Sequence, residues 1–340
     1  MGRYKLKVMA GSPFPILMIT PSRIGDAVLC SGLIGALAER TPSALFTFVS
    51  SSLTAPLFAE VPNRERTLIL EKRALGLHWL GLLGTLGLRR WGLVVDLRGS
   101  PVTALLNRRR RVAYRSMGPP VHKVIEAAGL VGRRQSPPAP HLFTTPAIEA
   151  RAATLTVGPG PILAIAAHAN WIGKTWPAER YAQVARELLG PAGPLAGGRL
   201  MVLGGASDRR QAAPLLASVP KDRVIDLVGR EDLLILYAAL KSARLFIGGD
   251  SGLMHMAAAA GAPTLGLFGP SDERLYGPWG ADTLVVRGPR SFADFKALDP
   301  DLDQALCHMM ELKVDKVIGA AKTLLAQTAG RPGVAAVEMT

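Results

Sequence analysis

Cysteine is almost absent: Cys30 and Cys307 stand alone, far apart, with no metal-ligand spacing and no possible disulfide framework. That fits a reducing compartment. Aromatic residues make up only 6% of the chain, and no recognisable RNA- or DNA-binding motif accompanies them, so base stacking has little to work with and a nucleic-acid partner is not expected. No Gly-x-Gly-x-x-Gly follows a strand, which argues against a nicotinamide-dependent oxidoreductase. Gly173-Lys174-Thr175 is not a phosphate-binding P-loop, because the glycine required five residues earlier is His168 and Pro177 keeps Trp176 out of a helix. Apolar runs are short. Phe14 to Ile19 is interrupted by Pro15, and Ala74 to Leu88 spans 15 residues with four glycines. A spanning helix needs about 20 apolar residues and a signal peptide a longer core. A cytoplasmic protein without a membrane span is expected.

Apolar residues are plentiful: hydrophobic side chains make up 49% and charged ones 19% of 340 residues, enough for two cores and incompatible with disorder. The net charge of +14 is concentrated. Residues 1–150 carry 20 Lys and Arg against 8 Asp and Glu, a net of +12; the rest of the chain nets +2. The N-terminal half therefore suits an anionic partner, unless its basicity merely follows an arginine-heavy composition. Arg108 to Arg111 and Arg115 form the densest run, read either as a solvated charge run or as acceptor contacts. Residues 74–88 predict a helix apolar on both faces, with Lys72-Arg73 and Arg89-Arg90 at its ends, either buried or lying on a membrane.

Strands and helices alternate. Strands are predicted at 16–20, 45–50, 68–70 and 92–97, with a helix over Asp26 to Arg40. Prolines 137, 138, 140 and 146 mark the approach to a linker that runs on to about Pro161. The pattern then restarts, with strands at 162–167, 200–203, 245–247 and 264–268 and helices at 178–189, 233–240, 252–260 and 314–326. Continuous apolar strands between helices predict parallel sheets covered on both faces: an α/β chain of two doubly wound, Rossmann-like domains, at 1–155 and 156–330, facing a cleft. The last helix, about 314–326, is a candidate for packing back on the first domain.

Ligands of such sheets bind at the carboxyl ends of strands. Four loops qualify. After the first strand comes Arg23-Ile24-Gly25-Asp26, where Asp26 is a helix cap or a general base, and Arg23 an anion contact or a solvated turn residue. Lys174 follows the 162–167 strand between Trp171 and Trp176, as a point charge for phosphate or an exposed lysine. Gly248-Gly249-Asp250-Ser251-Gly252 runs directly from a strand into a helix, giving close backbone approach, a hydroxyl and free amides for an anion; His255, one turn in, is a ligand or a buried histidine. Phe268-Gly269-Pro270-Ser271-Asp272 is a fourth loop of the same kind.

Thr20-Pro21-Ser22-Arg23-Ile24-Gly25-Asp26, Lys174-Thr175-Trp176-Pro177 with Arg180-Tyr181, Asp250 to His255, Leu267 to Asp272 and the segment Cys307 to Leu325 occur in order over nearly the whole chain. Together they resemble the signatures of the bacterial lipopolysaccharide heptosyltransferases, glycosyltransferase family 9. The resemblance implies the GT-B architecture and an inverting transfer without cofactor or catalytic metal. It implies an ADP-heptose-like donor held by the C-terminal domain, through Lys174, Asp250, Ser251, Gly252 and His255. It implies an anionic lipid A–Kdo acceptor in the N-terminal domain at the cytoplasmic face of the inner membrane, with Asp26 as base. Arg23, Arg98 and Arg115 are the acceptor-side candidates. Ser251 stands where threonine is commoner, and the first helix lacks a proline that many members carry. A nucleotide-sugar 2-epimerase, a transferase with another donor and a non-catalytic binding protein remain the competing readings.

Overall fold

The computed structural model describes residues 12–71, 77–115, 119–169, 171–302 and 306–330. They form two compact units that divide between Phe143 and Thr144. The first contains, in chain order, β1 (Phe14–Ile19), α1 (Ile24–Cys30), α2 (Gly32–Arg40), β2 (Ala44–Ser50), β3 (Arg64–Ile69), α3 (Leu77–Leu86), β4 (Trp91–Asp96), β5 (Arg108–Ala113) and α4 (Lys123–Leu130). Its sheet is fully parallel in the order β3-β2-β1-β4-β5.

The second unit contains α5 (Pro146–Thr156), β6 (Ile162–Ala166), α6 (Ala178–Leu189), β7 (Arg199–Val202), α7 (Arg209–Leu216), β8 (Val224–Asp226), α8 (Leu233–Leu240), β9 (Ala243–Gly249), α9 (Gly252–Ala259), β10 (Thr264–Phe268), α10 (Glu273–Tyr276), β11 (Thr283–Arg287), α11 (Phe292–Leu298) and α12 (Val314–Gln327). Its sheet, also parallel, runs β11-β10-β9-β6-β7-β8. Both units are doubly wound. The chain lays strands outward on one side of the first strand, then crosses to its other side. This places a topological switch point between β1 and β4 in one sheet and between β6 and β9 in the other, where such folds bind ligands. The α/β class and the two Rossmann-like GT-B-type domains expected from sequence are those found.

The central strands are buried from end to end: Ile16 to Ile19, Leu163 to Ile165 and Leu245 to Ile247 are almost wholly removed from solvent. Helices cover them with stripes at helical spacing, such as Tyr181, Val184, Ala185, Leu188 and Leu189 on α6. Val317, Ala321, Leu324 and Leu325 of α12 lie in the core of the second unit against α6.

Three details depart from the sequence reading. The run Arg108 to Arg111, read as a solvated charge run or as acceptor contacts without secondary structure assigned, is the edge strand β5, in register with Trp91 to Val94 of β4. The stretch read as approaching a linker contains α5, which starts on a Thr145 cap with Pro146 in its first turn and packs on α8. The helix at 26–40 is two helices, α1 and α2, joined at Ser31. There the Ser31 Oγ donates to the Val28 carbonyl at 2.6 Å and accepts from the His141 amide at 2.9 Å. Of the predicted helix 74–88, residues 74–76 lie outside the described residues, as does the flanking Lys72-Arg73. In α3, Leu82 and Leu86 are buried with Trp79 and Leu83 packed beside them, while Leu80 faces solvent.

Candidate functional site

In the first unit, the loop after β1 is braced from beneath by hydroxyls at the end of β2. The Thr20 and Ser50 hydroxyls share a 2.8 Å hydrogen bond, the Ser51 hydroxyl donates to the Ser22 carbonyl at 3.2 Å, and the Thr54 hydroxyl donates to the Pro21 carbonyl at 3.1 Å. On this support α1 begins at Ile24. Asp26 is therefore not the cap; that position is Arg23, whose side chain makes no capping bond. The helix starts early because Gly25 continues it, which leaves Asp26 half-buried in the first turn, where the helix dipole favours a carboxylate. Its charge is felt one turn on. The Cys30 thiol is pushed up to about 12 by desolvation, with the Asp26 and Glu126 carboxylates adding to it.

Across the switch point, β4 ends at Asp96, which is fully buried. It accepts from the Thr103 hydroxyl at 2.7 Å and the Arg98 amide at 3.0 Å, with the Arg111 guanidinium 3.7 Å away. This network fixes the loop carrying Arg98. That side chain is half-buried, and its guanidinium is lowered by burial against the opposing pull of Asp96 and Glu71. Arg115 follows β5 and is exposed, as is Arg23 after β1. Parallel strands β1, β4 and β5 are neighbours, so the loops bearing Arg23, Asp26, Arg98 and Arg115 leave the same edge of the sheet. Asp96 was not singled out by sequence. An aspartate closing an apolar strand, as in Val94-Val95-Asp96, is the signal that marks it.

In the second unit, Lys174 and Asp250 straddle the β6–β9 switch point and meet. Lys174 Nζ donates to Asp250 Oδ2 at 2.5 Å. The Nε2 of His255 stands 3.7 Å from the other carboxylate oxygen, at ion-pair rather than hydrogen-bond distance. Burial alone would raise the Asp250 carboxyl; His255 and the Lys174 ammonium outweigh it and hold the group well below the usual carboxylate range. His255 is itself buried, and its Nδ1 has no hydrogen-bond partner among the described residues. Ser251 caps α9, its hydroxyl oxygen accepting from the Met254 amide at 3.5 Å. The hydroxyl hydrogen and the first amides of α9 stay available beside Lys174. The structure thus brings Lys174, Asp250, Ser251, Gly252 and His255 together at one strand edge, with His255 acting on Asp250 from behind.

The turn that carries Lys174 (Ile172–Lys174) is held on three sides. Trp171 folds over Gly173, where an added Cβ would meet the indole ring at 2.4–2.7 Å, so any larger residue there has to displace the ring. Beneath it runs the segment 307–312, which the sequence reading left without a role. The Cys307 thiol donates to the Thr175 carbonyl at 3.1 Å, the His308 amide to the Gly173 carbonyl at 3.2 Å, and Trp176 Nε1 to the Leu312 carbonyl at 3.0 Å. Arg180 adds bonds to the Met310 and Leu312 carbonyls at 2.7 and 2.8 Å. All of these bonds end on main-chain carbonyls about 130 residues away, and they are invisible to residue spacing. The fourth loop, Gly269 to Asp272, is strapped by the Arg287 guanidinium, which donates to the carbonyls of Gly269 and Ser271 at 3.2 and 2.9 Å.

Comparison with known proteins agrees with this geometry. The sequence profile of glycosyltransferase family 9 (heptosyltransferase) matches residues 89–301, more than half of the chain. Lipopolysaccharide heptosyltransferase 2 of Escherichia coli K12 is 25% identical over 325 residues, covering 80% of this chain and 87% of the relative. Among solved structures, a family 9 glycosyl transferase from Veillonella parvula superposes with a TM-score of 0.74 at 19% identity, covering 94% of this chain and 99% of its own. The E. coli ADP-heptose lps heptosyltransferase II does so with a TM-score of 0.72 at 19% identity, covering 93% and 100%. A matching profile that covers the loops after β4, β6 and β9 and a shared two-domain fold identify the chain as a glycosyltransferase belonging to glycosyltransferase family 9, the heptosyltransferase family.

Proposed function

We propose that the protein transfers a heptose from an ADP-heptose-like donor to an anionic inner-core glycolipid of the lipid A–Kdo type, with inversion and without a catalytic metal. The reading places it at the cytoplasmic face of the inner membrane, as a peripheral enzyme. The observation that carries it is the Lys174–Asp250 pair beside the open N-terminus of α9. An ammonium has three N–H donors; one is used on Asp250, which leaves two for a diphosphate. Asp250, kept ionised, accepts hydroxyls of the donor sugar, and Ser251 and the α9 amides take phosphate oxygens. The name of the E. coli relative, an ADP-heptose heptosyltransferase, supports the donor.

In the reaction, the Asp26 carboxylate takes the proton of an acceptor hydroxyl. The oxygen attacks the anomeric carbon from the face opposite the diphosphate, the C–O bond to phosphate breaks, and ADP leaves with its charge met by Lys174 and the α9 amides. Arg23, Arg98 and Arg115 take the acceptor's phosphates and carboxylates. Two measurements test this. Calorimetry with ADP, UDP, GDP and CDP is expected to show selective ADP binding that Lys174→Ala weakens; selective UDP or GDP binding overturns the donor. Asp26→Asn is expected to lower kcat about 10²–10⁴-fold with ADP affinity unchanged, and full activity in that variant overturns its role as base.

A further inference from the structure

Helix α3 is uncharged throughout, Leu-His-Trp-Leu-Gly-Leu-Leu-Gly-Thr-Leu, and only one of its flanks is buried. Leu82 and Leu86 face the sheet, together with Leu106 that follows the Pro101–Leu105 turn. The opposite flank presents Leu80, Gly81, Gly84 and Thr85 to solvent, and Leu88 continues it one turn beyond the helix. Leu80 is 66% exposed and Leu88 98%. The Pro101–Leu105 turn packs beside α3 and adds Leu105, 70% exposed. A helix in a water-soluble unit normally turns charged residues outward; an outward face with leucines and no charge marks an interaction surface.

Its border says what it meets. Arg90 follows Leu88, and Arg109 follows Leu105 by four residues; both are exposed, and neither has an ion-pair partner among the described residues. On β5, Arg109 shares a face with Arg111, which pairs in register with Val94, a residue of the core under α3. The arginine therefore stands on the same side of the sheet as the helix. The half of the chain that carries this patch has a net charge of +12. Leucines in a band with unpaired guanidiniums at its margin match the two layers of an anionic bilayer surface, acyl chains below and phosphates above.

We propose that the outer flank of α3, with Leu80, Leu88 and Leu105 as its apolar contacts and Arg90 and Arg109 as its phosphate contacts, docks the protein onto anionic phospholipid. The inference rests on the peripheral-membrane part of the function proposed above, but not on its donor or acceptor. Because α3 returns from the end of β3 to the start of β4, it lies along a face of the sheet and not across the carboxyl edge that carries Asp26, so a bilayer on its outer flank leaves that edge open. The test is vesicle co-sedimentation of the full chain, with phosphatidylcholine alone and with 30% phosphatidylglycerol, needing neither nucleotide-sugar nor glycolipid. The wild type is expected to bind the anionic vesicles and not the neutral ones. Leu88→Ser and Leu80→Ser should each weaken binding about tenfold, Arg90→Gln and Arg109→Gln on the order of fivefold each, and Leu88→Trp should restore or exceed wild-type binding. These positions are exposed, so circular dichroism and melting should be unchanged in every variant. Wild-type vesicle binding in the leucine variants overturns the proposal, as does equal binding to neutral vesicles. Absence of vesicle binding overturns it as well, and with a dimer that Leu88→Ser dissociates it assigns the flank to a second copy of the chain. Nucleotide binding measured on the same variants reports separately on the donor reading.

Discussion

Replacing Lys174 by methionine leaves the buried Asp250 carboxylate without its cation while keeping the length of the side chain. Breaking a buried pair from one side costs about 3–5 kcal/mol. Lys174 is one-quarter exposed, so water recovers part of this and roughly 2–4 kcal/mol is expected. For a unit of this size that is a fall in melting temperature of about 5–12 °C. The sign of its pH dependence follows from the lowered Asp250 pKa. In the wild type, the stability contributed by this carboxylate is fully present above the ordinary aspartate value near 4 and is lost as pH falls through the lower folded value. In Lys174→Met the desolvated carboxyl keeps His255 but loses the ammonium, so it titrates higher than in the wild type and takes up a proton more readily on acidification, which relieves the penalty. The melting difference between variant and wild type should therefore be greatest at pH 7–8 and narrow as the pH falls toward the ordinary aspartate range. Calorimetric or fluorescence melting across pH 4.5–8 measures it. Adding Asp250→Asn to Lys174→Met should recover more than about 1 kcal/mol relative to additivity. A difference that stays constant from pH 5 to 8, with no recovery in the double variant, refutes an electrostatic pair.

Gly173→Ala should lower stability by about 1–3 kcal/mol and weaken ADP binding more than tenfold, because the new methyl group collides with the Trp171 ring and shifts the turn that carries Lys174; calorimetry on the variant checks both. Arg180→Met removes the bonds to the Met310 and Leu312 carbonyls and is expected to raise amide hydrogen exchange in 307–312 and in the Lys174 turn together, whereas exchange confined to α6 would show that the strap stands without it. Arg199→Met should cost about 2–4 kcal/mol, since this buried guanidinium holds the carbonyls of Thr156, Val157, Gly158 and Pro159 within 2.9 Å; chemical denaturation reads it directly, with ADP affinity unchanged.

The site was legible where chemistry and chain direction coincide. Asp26, Lys174 and Asp250 all follow apolar strands, and a parallel sheet sends every such loop to one edge, so their grouping within each unit follows from strand order alone. The Lys174–Asp250 contact itself was not legible. It depends on β9 crossing to lie beside β6, and nothing across a separation of 76 residues marks that pairing. Nor was His255's place behind Asp250, since helical position does not reveal which neighbour an imidazole faces. Lys174 was expected as a free charge for phosphate; its engagement with Asp250 changes that role from a lone cation to one half of a pair.

The strands divide in the same way. The central strands β1, β2, β4, β6, β7, β9 and β10 are covered on both faces, and their continuous apolar sequences announced them. The edge strands did not. β5 reads Arg-Arg-Arg-Arg-Val-Ala, β8 is Val-Ile-Asp, β11 ends in Arg287, and β3 opens with Arg-Glu-Arg, of which only the apolar end was anticipated. An edge strand has one unpaired row of main-chain donors and acceptors, and charge along it keeps other chains from pairing there. The feature that makes β5 safe as an edge is thus the feature that hid it as a strand. Arg108, Arg110 and Arg111 hold its place in the sheet by register with Trp91, Leu93 and Val94 rather than by burial. That placement, and not the charge run as such, sets Arg109 on the face of the sheet that α3 covers and Arg115 beyond the sheet edge that carries Asp26.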